Sequence, residues 1–508
     1  MKDLPEYALL ANPGLIKDRT MIHNSALPEF LKTTRLLHMF TTAFPWTLLV
    51  LALFSRAVYS LPAEENGEIE KIVEQAAKLL KAGDSFNGMR ILDKSLIEHP
   101  ENLLLLKTRS TALTGIGEFQ KAIKDYDKLL HIKPNFPGYL TNRAECYIEI
   151  GNFKSAINDL GNSNDILPKN GKTLRLMGLA HARLGQLKLA IEYYNASIDQ
   201  DTSDPLSYYN RGLCFEMINK LELAFQDYNQ SIKLNPNDPR PWNNRALIYK
   251  NKGDPNSALV GFSKALELNN CHVESLINRG LLYQELGQFD KSLSDLNEAI
   301  RLAPTDGRAY GNRARLFELA NALNDSLNDY NELIRLAPKS SLAFSNRAMV
   351  FLKMGRMEDS LNDLNHAIGI DPNNSMAFNN RGILFGKIGN IVQAKKDFLK
   401  SIELEPAKAS SYFNLGICNT QMGDSKSAIS AYDQTLSRDS KHFGAMLQRG
   451  ISYLMLKEYN KSIIDFDNLI KIYPKKMEGY FYKAKLLRET MRNDEADAIE
   501  ATMNQLNK

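Results

Sequence analysis

Proline returns in this chain at Pro100, Pro134, Pro168, Pro236, Pro304, Pro338, Pro372, Pro406 and Pro474, and every gap is 34 residues or twice 34. Thr202, Asn270 and Ser440 hold the skipped phases, so the register never slips. Self-similarity at a fixed period means stacked copies of one small unit rather than a single globular core. With the proline placed at position 32, twelve units run without a break, from 69–102 to 443–476. The segment 477–508 reads as a truncated thirteenth unit or capping helices.

Inside each unit the pattern is helical. Position 8 is Ala, Ser or Gly in all twelve units, and so is position 20. Position 24 is always Tyr, Phe or Leu. Position 15 is usually Gly, as in Gly151, Gly185 and Gly253, which suits a helix end that needs positive φ. Each unit therefore reads as two antiparallel helices hinged near position 15, with small residues allowing close approach and proline ending the second helix. Pro255 falls at a helix start, where a missing N–H costs nothing. The expected fold is all-α, a solenoid of about twelve helix–turn–helix units.

These features, over residues 69–476, resemble the tetratricopeptide repeat family. The resemblance implies a right-handed superhelix whose first helices line a concave groove, and a binding role rather than a catalytic one.

Position 7 is arginine in nine units: Arg109, Arg143, Arg211, Arg245, Arg279, Arg313, Arg347, Arg381 and Arg449. The family more often has an aliphatic residue there, so a charge in the seam calls for a partner. Position 23 supplies Asp125, Asp159, Asp227, Asp295, Asp329, Asp363, Asp397 and Asp465, in eight of those nine units. Units lacking the arginine (Gln75, Met177 and Leu415) lack the acid too, with Ile91, Tyr193 and Ala431. Positions 7 and 23 are equally distant from the turn, so an antiparallel hairpin sets them side by side. The expectation is a structural ion pair in each, with Arg245 alone opposite Gly261.

Position 6 is asparagine at Asn142 and then without a break at Asn210, Asn244, Asn278, Asn312, Asn346, Asn380 and Asn414. It lies about 160° round the first helix from packed position 8, toward the groove. Asparagine is a poor helix-interior residue, which suggests another use. Its amide offers an acceptor and two donors, enough for both polar groups of a peptide backbone. The row is similar to the asparagine ladder of the protein O-GlcNAc transferase superhelix, which implies a grip on bound polypeptide. Bonds only to neighbouring helices, holding the stack together, are the alternative. At position 5, Tyr209, Asn243, Asn379 and Phe413 are expected to line the groove and tune preference.

Other chemistry finds no support. A glycosyltransferase domain cannot fit after the last unit. No CxxC pair suggests zinc. Cys146, Cys214 and Cys418 share position 10 in units too far apart for a disulfide, which needs Cα atoms within ~7 Å. His181 reads as a packed histidine. Lys107 is the only lysine at position 5, and Thr111 stands where a chaperone-binding clamp needs asparagine. With 24% charged residues and a net charge of +4, nucleic acid is not indicated. No catalytic residue, metal or cofactor is assigned.

The front end differs. Leu36–Phe54 carries no charge if His38 is neutral, follows Lys32 and Arg35, and precedes small residues suited to cleavage after Ala57 or Ser60. It reads as a signal peptide within 36–60 or as an uncleaved membrane anchor, with a helix buried on the first unit as the alternative. Residues 1–35 are long for a leader and read as an N-terminal extension that is either not translated in full, with a start at Met21 as one explanation, or disordered; 61–68 reads as a linker. Either export reading puts the repeats outside the cytoplasm: periplasmic, secreted, lumenal or tethered by a single span. The functional expectation is a non-enzymatic module that binds extended protein or peptide in its groove. The rivals are an assembly scaffold for folded partners and a regulatory or targeting subunit of an enzyme complex.

Overall fold

A computed structural model describes residues 63–506, which form 26 helices and, among the described residues, no strand. The segment Leu36–Phe54 lies outside them. Among the described residues no helix is long and apolar enough to cross a membrane.

The helices alternate in length with the 34-residue register. In unit 3, for example, they are Pro137–Glu149 and Phe153–Ile166. One expectation at the N-terminal end is corrected. The stretch read as a linker is helical from Ala63, because the first helix runs to Lys81. The segment expected as a truncated thirteenth unit or capping helices contains a further hairpin, with helices Met477–Glu489 and Asn493–Leu506 and a buried alanine at each small position, Ala484 and Ala496.

The hinge is the same everywhere. Position 15 adopts positive φ in all thirteen hairpins, at nine glycines and at Asn219, Asn321, Lys457 and Met491. In the second hairpin the Glu118 N–H returns to Leu113 O at 2.9 Å, the six-to-one bond that satisfies a last-turn carbonyl. Position 16 then caps the next helix where it is Asp or Asn; Asp84 accepts from Asn87 N and Asn152 from Ser155 N.

Small position 8 lies beneath large position 24. A Cβ on Gly382 would stand 2.6 Å from the Phe398 ring, and one on Gly178 would stand 2.7 Å from Tyr194. Tyr126, Tyr194, Tyr228 and Phe466 are fully buried there. A second small layer, missed in the sequence, joins one unit to the next: Ser197 and Ser207 meet Oγ to Oγ at 2.9 Å, and Ser401 and Ser411 at 2.8 Å.

The described chain divides into two compact units, through Ser275 and from Leu276. Within the first, one apolar core spans Ile69 to Cys146 and a second spans Ala144 to Ile248. The second unit has smaller cores, such as Met446, Phe466 and Leu486. Within each, first helices of successive repeats touch one another, as 137–149 does 171–183 and 341–353 does 375–387. The face the first helices present is thus the close-packed side of each array.

Candidate functional site

Arginine position 7 makes three bonds. Nε and Nη2 both donate to the aspartate at position 23 of the same hairpin. The eight bidentate pairs Arg109–Asp125, Arg143–Asp159, Arg211–Asp227, Arg279–Asp295, Arg313–Asp329, Arg347–Asp363, Arg381–Asp397 and Arg449–Asp465 span 2.6–2.9 Å. Nη1 turns the other way, to position 25 of the preceding repeat. Arg143 reaches Asp127 at 2.7 Å and Arg313 reaches Asn297 at 2.6 Å; in the last hairpin Lys483 takes the same position and its Nζ reaches Asp467 at 2.6 Å. The arginine therefore locks one hairpin shut and ties it to its neighbour.

Sequence reasoning found the first contact and missed the second, although a signal exists. Gly161 and Leu399, neither an acceptor, stand at position 25 just before the two inner units that lack arginine, at Met177 and Leu415. The seam is also aromatic. Arg347 lies 5.5 Å from both the Phe344 and Phe351 ring centres, and Arg381 lies 5.5 and 5.8 Å from Phe378 and Phe385. Hydrogen bonds donated to the facing aspartates hold Arg109, Arg143, Arg279 and Arg313 above the ordinary arginine value.

Arg245 is not alone, which corrects its sequence reading. Its Nη1 donates to Asn229 at 2.8 Å and its guanidinium lies 4.6 Å from the Trp242 ring centre. The aspartate is still missing, and burial pushes this arginine below its ordinary value.

The asparagines at position 6 divide by what stands one repeat back at position 5. Asn380 donates to Ser345 Oγ at 3.2 Å and Asn414 to Asn379 Oδ1 at 3.0 Å. Asn312 and Asn346 have Ile277 and Gly311 in that place, which offer no side-chain acceptor. Both are half-buried and make no side-chain hydrogen bond among the described residues. Asn142 accepts from Lys172 Nζ at 3.0 Å. Asn244 accepts from Asn243 at 2.9 Å and leaves its own buried Nδ2 without a partner. Asn210 is buried without a side-chain bond among the described residues, and Asn278 has a partner.

Position 5 does not line an open groove. Tyr209, Asn243, Asn379 and Phe413 are all buried. One residue step turns the side chain about 100°, into the next repeat's first helix. Phe413 packs on His442 at 4.6 Å, and Asn243 accepts from Ser275 Oγ at 3.1 Å.

The two inner units without the clamp are filled differently. His181 stacks on Tyr193 at 5.2 Å, and its Nδ1 lies 2.6 Å from Gln186 Oε1. Asn419 is buried, with its Oδ1 unpartnered. Among the described residues no group of histidine, cysteine, aspartate and glutamate is placed to hold a metal ion.

Repeated antiparallel hairpins locked through a seam define an α-solenoid. The chain is a tetratricopeptide repeat protein: models of the tetratricopeptide repeat match residues 175–204, 205–238, 227–260, 273–306, 343–374, 409–442 and 444–476. Three of these spans, 205–238, 273–306 and 409–442, coincide with units of the register above. No curated protein matches the chain in sequence. Among solved structures it is similar to the APC/C hetero-tetramer Cut9–Hcn1, at 14% identity and a TM-score of 0.45, over 81% of this chain and 95% of that one. It is also similar to yeast Tom70, at 15% identity and a TM-score of 0.43, over 77% and 97% of the two chains. MamA matches at 25% identity and a TM-score of 0.29, over 32% of this chain and 94% of that one. The fold and family make the protein a protein–protein interaction scaffold.

Proposed function

We propose that the scaffold binds an extended polypeptide along its first-helix face, with Asn312 and Asn346 gripping the peptide backbone. The observation that carries this reading is their lack of an intramolecular partner, set against the bonded Asn380 and Asn414. A half-buried amide with no partner gains most from a ligand that brings both a donor and an acceptor. Backbone supplies both whatever its sequence, so the grip is broad in specificity. The outer members of the row, Asn380 and Asn414, knit helices together instead. The reading is non-enzymatic, with no cofactor.

The test is a pull-down comparing wild type with the Asn312→Ala/Asn346→Ala pair, with circular dichroism and thermal melting on both. Loss of partners at unchanged helicity and melting supports the grip; retained partners overturn it. We also propose export, on the Leu36–Phe54 sequence alone. Protease digestion of intact cells or vesicles, in which exported repeats are cut or shielded according to side, checks that separately.

A further inference from the structure

We propose that Arg245 is a receptor for a carboxylate that a protein partner supplies. The chain itself shows what this guanidinium binds. In eight sibling hairpins the same arginine holds a carboxylate by two bonds, through Nε and Nη2. In the sixth unit the acid is absent and Gly261 stands in its place.

The rest of the arrangement is kept. Nη1 still donates to Asn229 at 2.8 Å, as its siblings do one repeat back, and the Trp242 ring lies closer than the rings beside the paired arginines. These contacts hold the planar fork, leaving its other edge without an acceptor among the described residues; Nε is buried there with no partner. A fixed, half-buried fork is the geometry that favours a bidentate carboxylate.

Among the described residues no acid fills the gap. A Cβ on residue 261 would stand 2.7 Å from Ala246 Cβ, so an acidic side chain there would have to push the two helices apart. Asp227 is committed to Arg211, and Asp254 caps Ser257. The carboxylate then comes from outside the described helices. Val260, 68% exposed beside the gap, offers an apolar foothold for the residue next to it. Burial lowers Arg245 below its ordinary value, whereas Arg279 and Arg313, with their aspartates, lie above it.

The experiment follows the Nε–Hε resonance of Arg245 in the full chain, assigned by its loss in Arg245→Lys, with Arg211 as the occupied control. The probes are three short leucine-flanked peptides: a capped one with a central aspartate, the same with asparagine, and one whose only carboxylate is its C-terminus. The expected result is a saturable shift of Arg245 with the aspartate peptide, none with the asparagine peptide, and none at Arg211. A response to the free C-terminus alone keeps the carboxylate and assigns it to a chain end. No shift with either carboxylate, or equal shifts at Arg211, overturns the proposal. The site does not depend on the asparagine row, so Asn312→Ala/Asn346→Ala leaves this titration unchanged even if peptide gripping fails.

Discussion

Arg347 reaches back across a repeat boundary to Asn331, Nη1 to Oδ1 at 2.7 Å, while its other donors hold Asp363 of its own hairpin. One side chain thus sets both the closure of a hairpin and its docking on the hairpin before it.

Removing the arginine should therefore cost more than removing the pair. Arg347→Met strands Asp363, whose side chain is only 10% exposed, at a cost of about 3–5 kcal/mol. Adding Asp363→Leu should restore most of that loss, as an apolar pair already serves at Leu415 and Ala431. Asn331→Ala should cost about 1 kcal/mol. Hydrogen exchange over 341–370 is the measurement, because a long array opens in parts.

Gly382→Ala should destabilise by about 1–3 kcal/mol, because the new methyl meets the Phe398 ring. Gly161→Ala is the control. It lies mid-helix with nothing within 4 Å of a new Cβ, and should gain about 1 kcal/mol of helix propensity. Urea titrations of both variants check the opposite signs.

Burial pushes the thiols of Cys146 and Cys214 up to about 12 and that of Cys418 to about 11. Alkylation at pH 8 should label exposed Cys271 alone in the folded chain, and all four after unfolding. The unfolded thiol releases its proton near ~8.5 while the folded one keeps it. Each buried thiol therefore adds stability that is complete below that value and is lost as pH rises toward its folded value. Mass spectrometry of the labelled sites and melting from pH 7 to 10 are the checks.

Gly311→Ser should place a hydroxyl where Ser345 stands for Asn380, and so occupy the Asn346 amide from within. Among the described residues, its own helix aside, its new Cβ meets within 4 Å a Leu333 methyl at 3.2 Å, the end of a flexible side chain. Stability should hold or rise by about 1 kcal/mol while peptide binding weakens. Equal binding by wild type and variant, in a pull-down with melting alongside, would count against the backbone grip.

The fold was legible because the period and the packing are the same fact: small positions 8 and 20 recur wherever two helices must touch. The pairing of positions 7 and 23 was legible for a similar reason, since both lie equally far from one hinge. Contacts between repeats were not. The bond to position 25 depends on how one hairpin seats on the next, which no symmetry within a unit reveals. Position 5 was misplaced for the same cause, as Tyr209 and Phe413 are covered by the following repeat. The thirteenth hairpin was less plainly marked than the rest because position 32 falls at Lys508, where no proline marks the stop. Its hinge at Met491, with positive φ and no glycine, removed the other cue.

The arginine's reach has a consequence for how such a chain can change length. Arg381 finds Asn365 sixteen residues behind it and Asp397 sixteen ahead, and its siblings keep the same two spacings. Excising residues 341–374 would bring Asn331 into the place of Asn365, and the new joint would be locked on arrival. A cut that is not a whole number of 34-residue units would leave an arginine facing the wrong residue. Length in this protein is therefore open to duplication and loss in whole links, each carrying its own fastening, and closed to everything in between.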